Sequence, residues 1–204
     1  MKKYILGDFE VNTYLLTNKG FCYIIDPGYI SNDLIEDVKK YKLLGDILTH
    51  GHLDHIDAIE NFNCPIYIHK NDLICLKDER YSCYYLSNKR RSYKLENLDI
   101  KILDDHSILD FADEKIEVIY TPGHTNGSIC LKYKDKLFSG DTLFKGSIGR
   151  TDLPSGDMKK MKKSLETLLE TLPDYIKVYP GHGENTTIKF ERNNNYYYQI
   201  WKKK

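Results

Sequence analysis

The apolar period along the chain switches repeatedly between two and 3.6, which predicts strands interleaved with helices. Residues 12–17 and 21–26 read as a hairpin turned at Asn18-Lys19-Gly20, and Asp26-Pro27-Gly28 stops its second strand. Ser31 can cap a helix over 32–41 whose Leu34, Ile35 and Val38 share one face. Strands are predicted at 46–49, 64–69, 115–120, 128–134 and 136–139. Met158, Met161, Leu165, Leu168, Leu169 and Leu172 recur at helical spacing and predict an amphipathic helix over 157–172, with a last strand at 176–179. A hairpin first and strand–helix alternation later imply a mixed sheet system covered by helices, an α/β (α+β) arrangement in one domain over 1–204. Residues 77–97 resist this reading. They are polar, with Tyr81, Tyr84, Tyr85 and Tyr93 beside Arg80, Lys89, Arg90 and Arg91. They read as a helical excursion on the surface, with a lid or binding loop as the alternative.

Composition narrows the classes. A chain of 204 residues can bury a core without disulfides. Thirty basic and thirty acidic residues cancel, so bulk charge does not draw the chain to nucleic acid. No apolar run approaches the ~20 residues of a membrane span, and Asp8 interrupts any secretory leader. Five cysteines, an odd count without a Cys-x-x-Cys pair, speak against a disulfide framework or zinc knuckle and for reduced thiols in a cytoplasm. The expected partner is a small molecule, with neither nucleic acid nor membrane, bound by a monomer or homodimer.

The chemistry concentrates at Thr49-His50-Gly51-His52-Leu53-Asp54-His55, which follows the 46–49 strand and precedes helix-like Ile56-Asp57-Ala58-Ile59-Glu60. Two imidazoles one residue apart can close on one cation, and the Asp and His that follow can reach a second. Imidazole and carboxylate together suit zinc and related divalent ions. Three glycine-containing loops repeat the grammar after predicted strands: Thr121-Pro122-Gly123-His124, Ser139-Gly140-Asp141-Thr142 and Tyr179-Pro180-Gly181-His182-Gly183. Each alone is an ordinary turn; together they supply the remaining ligands two metals need.

These motifs resemble the metallo-β-lactamase superfamily, from Asp26-Pro27-Gly28 to the His182 loop. The resemblance implies a four-layer αββα sandwich with a two-metal site at one edge. His50, His52 and His124 would hold the first metal, Asp54, His55 and His182 the second, and Asp141 would bridge them. Within the superfamily the chain is similar to glyoxalase II (hydroxyacylglutathione hydrolase), and to its short bacterial relatives, through Phe138 to Phe144, Gly146-Ser147-Ile148-Gly149-Arg150-Thr151-Asp152-Leu153-Pro154 and Gly181 to Ile188. Two departures stand out. The chain ends before the helical C-terminal domain of the longer enzymes, and their glutathione-binding Lys and Tyr fall at Arg150 and Asp152.

The expected activity is hydrolysis of a thioester such as S-D-lactoylglutathione by a hydroxide shared between two metals, zinc first and iron or manganese as alternatives. Two cations ~3.5–4 Å apart lower the pKa of a shared water to about 7. A thiolate, with pKa ~8.5, then leaves without a strong acid. Asp54 and Asp141 are the catalytic carboxylates in this reading, Asp54 orienting the nucleophile. Asp26 is a candidate partner for a ligand imidazole or a plain turn residue. Arg150 is a candidate for binding a substrate carboxylate or a solvated loop cation. The rivals are a single-iron persulfide dioxygenase and a lactonase or other hydrolase of the same fold. His69 and His106 read as structural, Asn71 as a helix cap, and Lys202-Lys203-Lys204 as a frayed tail.

Overall fold

The computed structural model describes residues 1–87 and 89–202. The first half forms β1 (Lys2–Leu6), β2 (Val11–Asn18), β3 (Phe21–Ile25), α1 (Asn32–Val38), β4 (Lys42–Ile47), α2 (Leu53–Ile56), β5 (Ile66–His69), α3 (Leu73–Lys77) and β6 (Ile100–Leu103). The second half forms β7 (Ile108–Phe111), β8 (Glu114–Tyr120), β9 (Ile129–Tyr133), β10 (Lys136–Gly140), β11 (Leu143–Phe144), β12 (Ser147–Ile148), α4 (Met158–Thr171), β13 (Lys177–Pro180), β14 (Thr186–Thr187), α5 (Ile188–Asn194) and α6 (Tyr196–Lys202). The first sheet runs β1-β2-β3-β4-β5-β6, an antiparallel meander that turns parallel from β3 onward. The second runs β14-β13-β10-β9-β8-β7, with β10 and β13 parallel.

Two-fold alternation explains the layers. In β3, Tyr23 and Ile25 face the second sheet, where they meet Phe111, Ile116, Val118 and Leu131, while Cys22 and Ile24 face Leu34 and Val38 of α1. In β9, Ile129 and Leu131 join that central core and Cys130 packs under Met161, Leu165 and Leu168 of α4. Strands buried on both faces carry near-continuous apolar runs. The αββα sandwich follows, with α1 and α3 outside one sheet and α4 to α6 outside the other. Among the described residues no helix is long and apolar enough to cross a membrane.

Several elements differ from expectation. Helix α1 ends at Val38, and Ser31 Oγ accepts the Leu34 amide as its cap. β4 starts at Lys42 and stops at Ile47. The helix-like stretch after His55 breaks, because the Ala58 amide donates to Pro27 O (3.0 Å), and the helical turn moves upstream to carry Asp54 and His55. The 176–179 strand is not the last, since Thr186–Thr187 pairs with it. Strands β1, β6 and β7 lie at sheet edges or carry exposed faces (Ile5, Ile102 and Ile108 are exposed), so they lack the two-sided apolar run that reveals a strand. After α3 ends at Lys77, the described residues up to 97 form only short 3₁₀ helices at Tyr84–Leu86 and Leu95–Asn97, with Cys83, Tyr84 and Tyr93 buried, so the helical excursion is not found. Asn71 is not the cap: His69 Nδ1 accepts the Asn71 amide, and His69 is buried against Tyr120 and Asp105. Lys202 ends α6; Lys203 and Lys204 lie outside the described residues.

Candidate metal centre

Strands β8 and β10 run the same way in their sheet, and β13 lies parallel to β10, so the loops after all three open at one edge. Those loops carry His124, Asp141 and His182. Backbone bonds bring the end of β4 to the same edge: the Ile129 amide donates to Thr49 O (2.8 Å) and the Asn12 amide to Gly181 O (2.7 Å), both across the sandwich. The segment after β4 then delivers His50 and His52, and α2 delivers Asp54 and His55 on one turn.

All seven side chains converge. His52 Nδ1 lies 2.8 Å from His124 Nε2, and the His50 ring sits beside both. His182 Nε2 lies 3.1 Å from Asp54 Oδ2 and 3.4 Å from His55 Nε2. Asp141 spans the two groups, with Oδ1 3.5 Å from His55 Nε2 and Oδ2 3.5 Å from His124 Nε2. Three overlapping sets can each hold an ion: His50, His52, His124; Asp54, His55, His182; and His50, His55, Asp141. Gly181 makes the convergence possible, because a Cβ there would lie 2.2 Å from Asp141 Oδ1.

Two rings are anchored from outside. His124 Nδ1 can only donate to Arg150 O (2.7 Å), and His182 Nδ1 only to Phe9 O (3.0 Å), which turns the Nε2 of each ring toward the cluster. Asp26 holds the loop from beneath. Its oxygens accept the Thr49 amide and hydroxyl at 2.7 Å each, and Oδ2 lies 3.1 Å from His55 Nδ1.

A cation fits this set. His50 Nε2 and Asp141 Oδ1 are buried with no hydrogen-bond partner, a costly state that a ligated metal relieves. Burial, reinforced by neighbouring imidazoles, holds His50 and His52 well below the usual histidine range, so both are neutral ligands. Burial opposes charge on His55 too, but Asp54, Asp26 and Asp141 outweigh it and push the ring up to about 10. Burial raises Asp54, and the surrounding imidazoles more than reverse this, so its carboxyl is lowered. The two halves thus differ: one is an all-imidazole trio in which His50 and His52 are held neutral, and in the other Asp54 faces two imidazoles. Imidazole and carboxylate both suit zinc and related divalent ions.

A cavity of about 410 Å³ opens over the cluster. His52, Asp54, His124, Asp141 and His182 share its lining with Phe9, Leu53, Cys83, Leu86, Phe144 and Leu153. Phe9, Cys83 and Leu86 lie far from the ligand motifs and have no common spacing with them, so the chain does not mark them as cavity residues. Arg150 stands in the wall, more than half exposed, and forks onto Asp152 through two bonds of 2.8 Å.

A family model described as the metallo-beta-lactamase superfamily matches residues 6–182. The probable metallo-hydrolase YqgX of Bacillus subtilis (strain 168) is 33% identical over 204 residues, which is 93% of each chain. The hydroxyacylglutathione hydrolase GloC of Haemophilus influenzae is 34% identical over 185 residues, covering 84% of each. Among solved structures, the BLEG-1 B3 metallo-beta-lactamase superposes with a TM-score of 0.88 at 33% identity, covering 97% of this chain and 98% of that one. TTHA1623 in a di-iron-bound form gives 0.81 at 30%, covering 97% and 100%. ETHE1 from Myxococcus xanthus gives 0.75 at 25%, covering 96% and 82%.

Proposed function

The chain belongs to the metallo-β-lactamase superfamily of metal-dependent hydrolases, and on that premise we propose that it hydrolyses a small acyl thioester at a two-metal centre. The observation that carries the reading is the pair of ligand sets joined through Asp141 at the wall of an apolar cavity. His50, His52 and His124 would hold one divalent ion and Asp54, His55 and His182 the other, with zinc first and iron or manganese as alternatives. Such ions supply an ionised water at neutral pH and Lewis acidity toward a carbonyl.

The chain's own groups argue for the leaving group. An amide or alkoxide leaves only when protonated, so its cleavage calls for a general acid. Outside the seven ligand residues, the described lining offers two side-chain hydrogen donors, Arg150 and Cys83. Asp152 raises the Arg150 guanidinium further, and burial pushes the Cys83 thiol up, so neither gives up a proton at neutral pH. A thiolate leaves without such help. Phe9, Leu53, Leu86, Phe144 and Leu153 exclude water around the acyl group, which strengthens the field of the site. Asp54, held ionised by its imidazole neighbours, would accept a hydrogen bond from the attacking water or hydroxide and orient it. Arg150 stands in the cavity wall, and a substrate carboxylate competes with Asp152 for its Nε–Nη2 edge or binds its Nη1 side.

The similarity to GloC supports this reading. A second reading draws on a different trio: His50, His55 and Asp141 form a two-histidine, one-carboxylate set, the pattern of mononuclear iron oxygenases. The similarity to ETHE1 makes it the rival. The test is to purify the chain from unsupplemented cells, count metals, and assay S-lactoylglutathione, other thioesters, persulfides with oxygen uptake, and a β-lactam. Two metals and thioester turnover are expected. One iron with oxygen consumption on a persulfide overturns the hydrolase reading.

A further inference from the structure

Asp72 lies directly before α3 and is fully buried, yet its side chain caps nothing in its own helix. Its oxygens go instead to two distant loops. Oδ2 accepts the Gly51 amide (3.0 Å) and the Thr125 hydroxyl (2.6 Å); Oδ1 accepts the Gly127 amide (2.7 Å). Gly51 separates His50 from His52, and Thr125 follows His124. One carboxylate therefore joins the two loops that carry the imidazole trio. The approach is tight: a Cβ on Gly127 would lie 2.6 Å from Asp72 Cγ. Thr125 is further locked by Ser128, whose Oγ accepts the Thr125 amide at 2.9 Å. On the other half, Phe9 O holds His182, and Asp26 lies beside His55 while also accepting from Thr49, next to His50.

We propose that Asp72 is the positioning residue for the His50–His52–His124 half of the centre, setting metal affinity there and not at the Asp54–His55–His182 half. The inference rests on the two-metal reading. The physical reason is entropic. His52 Nδ1 and His124 Nε2 sit 2.8 Å apart on separate loops, and a ligand set held in place beforehand loses less freedom on binding. Without the carboxylate the two loops separate, and two buried amides lose their acceptor.

The test is zinc titration against a chromophoric chelator on the full chain, in two single-site backgrounds. His182→Ala leaves the imidazole trio; His50→Ala leaves the Asp54–His55–His182 set. Adding Asp72→Ala is expected to weaken zinc binding ~10–100-fold in the first background, the usual range for residues supporting a ligand, and to leave the second unchanged. Asp72→Asn keeps one acceptor oxygen and is expected to fall between. Thr125→Val removes one bond to Asp72 and the hydroxyl contact with Ser128 Oγ at nearly constant volume, leaves both amide bonds to Asp72, and gives a smaller loss in the same background. It also carries the comparison if Asp72→Ala does not fold, as judged by its circular dichroism melt. Equal losses in both backgrounds, or no loss in the first from a folded variant, overturn the assignment. A wild-type chain that takes up no zinc overturns the metal reading itself, and the role of Asp72 with it.

Discussion

Two regions at the end of the first sheet treat a buried carboxylate in opposite ways. At the rim, Asp26 and Asp72 have both oxygens partnered by amides and hydroxyls, and each ties a ligand loop in place. Inside β4, Asp46 is equally buried, yet neither of its oxygens has a hydrogen-bond partner. Burial pushes its carboxyl well above the usual range, with the Cys64 thiol nearby as the only opposing influence. Desolvation alone makes a carboxylate expensive; donors turn the same group into a clamp. Burial raises the Asp72 carboxyl too, but three donors pull against it, whereas Asp46 has no such set and is held toward the neutral acid.

Four substitutions test that contrast, from the largest expected effect to the smallest. Asp141→Ala removes the candidate ligand that spans both halves, and turnover should fall ~10³-fold or more with loss of bound metal. Full activity in that variant, read by steady-state kinetics with metal analysis, would contradict the bridging role. Asp26→Ala leaves the buried Thr49 amide and hydroxyl without an acceptor, and chemical denaturation should show a loss of about 2–3 kcal/mol. Asp46→Asn should do the reverse. The folded chain holds the Asp46 proton more tightly than the unfolded chain, so this group lowers stability as pH rises from ~3.9 toward its raised folded value, by up to about 1.4 kcal/mol per pH unit. The amide variant lacks that slope, so its advantage over wild type in urea midpoint should grow from pH 5 to pH 8. A constant difference would mean that Asp46 is already ionised in the fold. Last, Asp152→Asn frees Arg150 from a solvent-exposed pair that screening keeps weak. KM for a carboxylate-bearing thioester should drop less than ~5-fold, with kcat unchanged.

Which parts were legible in the chain follows from the same physics. The seven metal-ligand candidates were readable because each sits immediately after a strand or on the first turn of a helix, where stiff backbone makes spacing predictive. The hairpin at Lys19-Gly20 and the helix over Met158–Thr171 were readable from period alone. The edge strands at Lys2–Leu6 and Ile100–Leu103 were not, since one face meets solvent and the apolar rhythm dissolves. The cavity wall was invisible for another reason. Phe9, Cys83, Leu86 and Leu153 meet only through tertiary packing, and an apolar residue in a loop carries no mark of what it will face. Asp72 hid in the same way: it stands beside the predicted cap at Asn71, and its partners lie 21, 53 and 55 positions away.

The tie between the first hairpin and the last ligand loop has a consequence for biosynthesis. Asn12 Nδ2 donates to Pro180 O and Gly183 O, and Tyr14 Oη to Pro180 O, across 168, 171 and 166 positions of sequence. Pairings that remote form late, after the intervening chain has left the ribosome. A nascent chain halted before Pro180 would carry six of the seven candidate ligands and none of the contacts that seat the last one.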